Sequence, residues 1–283
     1  MTLAADAVWL ITGCSSGLGR ALAERVLAQG YRCAATARDE SRVAALTAPH
    51  GGRAIALPLD VTRPGERREA LARTERAFGR VDVLVNNAGY AYYAAVEEGE
   101  DDAIRAMFET NFFGAAALIR ETLPGMRARG SGRIVNVSSI AGLTAVNGGG
   151  YYAATKFALE ALSEALWKEV EPHGLHVTLV EPGPFRTDFA GRSIRFPARA
   201  LDAYAATAGA RRDELKRNDG RQAGDPARAA AAIVDAVASG APPHRLLLGT
   251  AGLARVREKL AELSASIDRW ESVSRSADYD APA

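Results

Sequence analysis

Cysteine is nearly absent from this chain, with two in 283 residues, Cys14 and Cys33. Two cannot build the disulfide framework of a small secreted domain. Histidine is scarce as well, at four. No C-x-x-C or H-E-x-x-H spacing occurs, so no metal site is expected. Neither sign of charge dominates: 35 Lys and Arg stand against 34 Asp and Glu, a net charge of +1. That balance lacks the electrostatic footprint of a nucleic-acid binder, and no such partner is expected. No apolar run approaches the length of a membrane span. The opening MTLAADAVWLITG carries no basic segment ahead of its apolar residues. It reads as a first strand and not as a signal peptide. The expectation is a cytoplasmic globular enzyme or binding protein, with 48% apolar residues to form a sizeable core.

Short β-branched runs alternate with helical stretches. Strands are expected at 8–12, 31–37, 53–61, 81–89, 132–139, 175–183 and 244–249. Helices are expected between them, two of them long, at about 101–128 and 151–170. Strands this continuously apolar are buried on both faces, as in parallel sheets. Strand–helix alternation with short connections implies right-handed crossovers. The fold class expected is therefore α/β: one doubly wound domain, a mainly parallel sheet of about seven strands, and helices on both faces. Residues 184–225 fall outside the alternation and are rich in Arg. A segment that long inside a compact domain suits a lid or substrate-binding element. A last helix and a polar tail, the tail from 272 to 283, complete the chain.

The first strand runs into LITGCSSGLGRALAE. Gly13-Cys14-Ser15-Ser16-Gly17 matches the G-x-S-x-G elbow of a serine hydrolase. That elbow normally follows several strands, whereas here it follows the first, and no motif surrounds any of the four His. Gly13, Gly17 and Gly19 also suit a loop that admits phosphates to a helix N-terminus, where free N–H groups and the positive dipole end lie. Their spacing is G-x-x-x-G-x-G, not G-x-G-x-x-G.

Other motifs follow in one order: TGCSSGLG (12–19), LDV (59–61), NNAG (86–89), Asn111, SS (138–139), YAATK (152–156) and PGPFRT (182–187). Together they resemble the short-chain dehydrogenase/reductase family, in its shorter NAD(P)-dependent branch, strongly over about residues 8–190. The resemblance implies a Rossmann-like fold and hydride transfer between a nicotinamide and a carbonyl or secondary alcohol. Tyr152 and Lys156 are four apart and share a helix face. Tyr151 points about 100° away. A cation beside a phenol stabilises the phenolate, which suits Tyr152 as general acid and base. By resemblance Lys156 also bonds the nicotinamide ribose, Ser139 polarises the substrate oxygen, with Ser138 as its alternative, and Asn111 helps hold a proton-relaying water.

The resemblance places the cofactor along Gly13, Ser15, Ser16, Gly17, Leu18 and Gly19, then Asp60 and Val61 at the adenine. Asn87, Ala88 and Gly89 follow, with Asn86 bonding backbone between strands. Pro182, Gly183 and Thr187 meet the carboxamide. An acidic residue at the end of the second strand would select NAD. ATARDE there offers Arg38, which can pair with a 2′-phosphate, although Asp39 and Glu40 weaken the local field. NADP(H) is favoured and NAD(H) remains the alternative. Tyr90, Tyr92, Tyr93, Phe185, Phe189 and Phe196 suit a pocket for a bulky apolar ketone or alcohol, or simple core packing. The arginines from Arg186 to Arg221 suit an anionic substrate or a solvated face. The two long helices, with Phe157, Leu162, Leu166 and Trp167, suit a homodimer or homotetramer. Two competing readings are a cofactor-binding regulator without chemistry and a hydrolase using Ser15.

Overall fold

The computed structural model describes residues 2–279. Seven strands form the main sheet: β1 Val8–Ile11, β2 Arg32–Ala37, β3 Ala54–Pro58, β4 Val83–Asn86, β6 Gly132–Val137, β7 Leu175–Pro182 and β9 Arg245–Leu248. All its pairings are parallel, in the order β3-β2-β1-β4-β6-β7-β9. Each crossover carries helix: α1 Gly17–Ala28, α2 Ser41–Thr47, α3 Pro64–Phe78, α4 Asp101–Phe108, α5 Gly114–Arg129, α6 Gly150–Val170 and α9 Pro226–Ala238. This is the doubly wound Rossmann-like arrangement.

Strand alternation divides the core in two. Trp9, Ile11, Val83 and Val85 pack with Leu22 and Val26 of α1 and with Ile233 and Val234 of α9. Val8, Leu10 and Leu84 face the opposite layer, with Phe78 of α3, Leu118 of α5 and Leu166 of α6. Both faces are covered, which is why the strands read as unbroken apolar runs. The strand order reverses direction between β1 and β4. In open parallel sheets ligands bind in the crevice at the strand C-terminal ends beside such a reversal.

Some boundaries move from those expected. The third strand stops at Pro58, which lacks an N–H for the ladder. Asp60 therefore lies beyond the strand, in a turn where its carboxylate accepts from the N–H and hydroxyl of Thr62. The helix expected at 101–128 is two helices, joined by one π-helical turn at Glu109–Phe113. The segment 184–225 is not structureless. It holds α7 Phe189–Arg192, β8 Ile194–Arg195 and α8 Ala210–Arg217. β8 pairs with β5 Ala91–Tyr92 in a second, two-stranded sheet. The last helix, α10 Thr250–Arg275, runs past the tail boundary expected at 272. Residues 280–283 of that tail lie outside the described residues. Among the described residues no helix is long and apolar enough to cross a membrane.

Leu166 and Trp167 turn toward the body. Leu166 is buried in the layer beneath the sheet, and Trp167 stacks on His244 at 4.5 Å. Of the apolar α6 residues considered for pairing, Phe157 is the exposed one. Asn86 bonds by its side chain and not to backbone: its Nδ2 donates to Asn136 Oδ1 at 2.8 Å, and Asn136 donates to Ser163.

Gly19 sets how closely α1 approaches the sheet. A Cβ there would lie 2.3 Å from Asn87 Nδ2 and 2.4 Å from the Gly13 carbonyl oxygen. Gly19→Ala is expected to lower unfolding stability by roughly 1–3 kcal/mol, the usual cost of overpacking. Equilibrium urea unfolding measures it, and an unchanged midpoint would show that the loop yields freely.

Candidate active site

A cavity of about 1050 Å³ opens at the C-terminal ends of β1 and β4. Of the residues the sequence suggested for catalysis, cofactor or an apolar substrate, all line it except Asn111, Tyr92 and Phe196. No histidine lines it, so Ser15 has no imidazole partner within it. Cys14 is buried behind the loop, where burial pushes its thiol up to about 12.

One wall is the glycine loop. Gly13 and Gly17 have φ of +73° and +60°, a region that side chains disfavour. The first N–H groups of a helix have no acceptor within it. Ser16, the residue before α1, does not cap them with its side chain. Gly17, Leu18 and Gly19 therefore present the positive end of α1 to the cavity. Thr12 joins this wall to the next: its hydroxyl accepts from the N–H groups of Asn87 and Ala88 and donates to the Val85 carbonyl.

The opposite wall is α6. Tyr152 and Lys156 lie one turn apart and both are buried, with Lys156 Nζ 5.8 Å from the Tyr152 ring centroid. Lys156 Nζ also donates to the Val137 carbonyl at 2.9 Å. Tyr151 points elsewhere, its hydroxyl donating to the Val96 carbonyl at 2.7 Å. Ser139 lines the cavity and its Oγ accepts from Ala141 N–H. Ser138 is turned inward, its Oγ and the Glu160 side chain both beside Gly142. Burial pushes the Tyr152 phenol well above the usual tyrosine range, Tyr93 adds to the rise, and a hydrogen bond with Ser139 opposes it. The expected lowering by the neighbouring ammonium is not among these influences, and the net shift is upward. Burial also lowers Lys156 to about 8, against the pull of Glu160.

Asn111 lies behind this wall, in the π turn. Its Nδ2 donates to the Tyr90 carbonyl at 2.8 Å and to Thr155 Oγ1 at 3.1 Å, and its Oδ1 accepts from Tyr90 N–H at 3.0 Å. The side chain is fully engaged in bracing the chain after β4. Tyr92 is core, 1% exposed, with its hydroxyl against Glu98 and Glu100. Alternation along β5 turns it away from the cavity while Tyr93 faces in. Phe196 sits under the Lys216 ammonium.

Of the arginines from Arg186 to Arg221, Arg192, Arg195 and Arg211 line the cavity, so for these three a solvated face is not the whole account. Arg195 lies over the Tyr90 ring at 4.4 Å. Arg212 instead reaches back to the buried carboxylate of Glu98, which also accepts from the N–H groups of Ala95 and Leu201. That bonding holds the Glu98 carboxyl well below the usual range. No local pattern marks a pair 114 residues apart.

The family model described as short chain dehydrogenase matches residues 7–196. The chain belongs to the short-chain dehydrogenase family. An oxidoreductase of Botryotinia fuckeliana, BOA17, is 36% identical over 94% of this chain and 97% of its own length. The crystal structure of a short-chain dehydrogenase from Streptomyces avermitilis is 43% identical, with a TM-score of 0.90 over 96% of this chain and all of that one. A Burkholderia phymatum short-chain dehydrogenase/reductase solved with NAD is 26% identical, with a TM-score of 0.82 over 92% and 95%. This short-chain dehydrogenase is accordingly an oxidoreductase.

The lowered Lys156 value has a measurable consequence. Its usual value is 10.5. Between about 8 and 10.5 the unfolded chain takes up a proton that the folded chain does not, so folding stability falls as pH falls through that window. Lys156→Met is expected to remove this dependence, a total on the order of 3 kcal/mol across the window. Urea unfolding of both proteins from pH 7.5 to 10.5 tests this, and parallel curves would contradict it.

Proposed function

We propose that the protein interconverts a ketone and a secondary alcohol with a nicotinamide dinucleotide, preferring NADP(H). The observation that supports this most is the pairing of the two walls. The uncapped N-terminus of α1 suits a pyrophosphate, and the Tyr152–Lys156 face suits a reacting oxygen across the same cavity. A Cβ at Gly13 would come within 3.0 Å of Ala88, so this cradle is shaped for backbone and ligand and not for side chains. When bound, the cofactor supplies or accepts the hydride.

The chain's own residues handle the proton. Tyr152, protonated at neutral pH, donates from its hydroxyl to the substrate oxygen in reduction. In oxidation it accepts that proton. Ser139 Oγ holds the same oxygen by a hydrogen bond. Lys156 keeps a positive charge near the phenol and anchors the ribose. Asn111 acts indirectly, by fixing the Tyr90 backbone and Thr155 beneath the site. The apolar wall of Tyr93, Phe185 and Phe189 receives the substrate body, with the Phe189 ring 6.0 Å from that of Tyr152.

The cofactor preference rests on what surrounds Arg38. Its side chain is exposed and lines the cavity. Its acidic neighbours are engaged elsewhere. The Asp39 carboxylate accepts from the N–H and hydroxyl of Ser41, and Glu40 pairs with Arg73 at 3.7 Å. Arg38 is therefore left for a 2′-phosphate, with the Asp39 charge still beside it and that of Glu40 partly offset by Arg73.

Tyr152→Phe is expected to cut kcat by at least about a hundredfold, the general-acid contribution, while dinucleotide affinity holds within a few-fold. Full activity with any ketone turned over by the unaltered protein would remove Tyr152 from the chemistry. Arg38→Asp should shift the ratio of kcat/KM toward NADH by at least about tenfold, the loss of one charge-assisted pair. An unmoved ratio would dismiss Arg38 as the discriminator.

A further inference from the structure

The first turns of α10 rest on the body: Val256 is 6% exposed, and Gly252 packs against Gly183. From Leu260 onward every described residue is exposed. Most helical stability in proteins comes from packing of an amphipathic face. Yet Leu253, Val256, Leu260, Leu263, Ile267 and Trp270 recur at alternating spacings of three and four. That is the seam of a coiled coil, a narrow stripe that wants one facing helix. Leu260, Leu263, Ile267 and Trp270 are 58, 50, 60 and 58% exposed, so the stripe outside the body is uncovered.

We propose that this stripe pairs with the same helix of a second copy, antiparallel, about a two-fold axis between Leu263 and Ile267. Leu260 then packs with the partner's Trp270, and Leu263 with the partner's Ile267. A two-fold pair makes each contact twice. The charges decide the direction. The residues one past Val256, Leu263 and Trp270 are Arg257, Ser264 and Glu271. In an antiparallel pair these flanks meet each other, so Arg257 faces the partner's Glu271 and Ser264 faces its counterpart. A parallel pair would instead set Lys259 against Ser264 and Ser266 against Glu271, with no opposite charges matched. The helix carries five basic residues, Arg255, Arg257, Lys259, Arg269 and Arg275, and four acidic ones, Glu258, Glu262, Asp268 and Glu271. The difference, 5 − 4 = +1, with the signs interspersed, is not the basic face that seats a helix on an anionic membrane.

Sedimentation of the full chain at several concentrations tests this without reference to its chemistry. Ile267→Asp, on an exposed face, is expected to halve the assembly mass relative to the unaltered protein, while the melting temperature of the body stays put. Arg257→Glu and Glu271→Arg should each weaken association by about tenfold or more through repulsion at both symmetric pairs. The double exchange R257E/E271R should recover it to within a few-fold. Equal masses for Ile267→Asp and the unaltered chain would overturn the pairing. A double exchange no better than either single would overturn the antiparallel direction. Flotation with phosphatidylserine vesicles at unchanged mass would mean that a lipid surface covers the stripe instead.

Discussion

The hydroxyl of Thr12 holds the two halves of the site together. It sits where β1 ends and bonds to the backbone where β4 ends, across the point at which the strand order reverses. The crevice exists because adjacent strands there feed helices on opposite faces. The Thr12 bonds keep its two lips in register. Asn87 completes the brace by donating to the carbonyls of Thr12 and Gly13. Gly19 is required because that amide occupies the space a side chain would take. These bonds set the positive end of α1 beside the chain after β4, while the Tyr152–Lys156 face is held separately, by Lys156 on the Val137 carbonyl and by Asn111 on Thr155.

A second layer of buried polar contacts supports the far side. Asn111 spends all its side-chain bonds on Tyr90 and Thr155, and the π turn brings it within reach of both. The segment 184–225 contributes to one deeply placed ion pair, Arg212 with Glu98. Such a pair contributes little net stability against its desolvation, but breaking one partner leaves a buried charge. Its effect is to fix where α8 sits, and so where Arg211 and Leu215 meet the cavity. Burial has a similar effect on the chemistry. It moves the Tyr152 phenol up and the Lys156 ammonium down.

Much of this was legible in the residue order. Short, continuously apolar runs located all seven strands of the main sheet, because strands buried on both faces leave few polar interruptions. The glycine loop and the Tyr152–Lys156 spacing placed two walls, because each depends on neighbours in sequence. Errors gathered where the partner is distant. Tyr92 ends β5 and Tyr93 is the next residue, and pairing against β8 fixes the chain there so that one side chain turns inward and the other to the cavity. Asn86 met a side chain of β6 instead of backbone. The stripe on α10 was written in the sequence at regular spacing, but its meaning needed the knowledge that nothing among the described residues covers it beyond Val256.

By itself the residue order determined the strand–helix alternation, the turn chemistry of Gly13 and Gly17, and which phenol and ammonium share a helix face. These follow from local sterics and from periodicity, which act within a few residues. Only the tertiary structure decided which serine faces the cavity, where the lid arginines point, how far burial moves Tyr152 and Lys156, and that the end of α10 stands clear of the body. Each of those depends on groups brought together from far along the chain, and on the water they exclude.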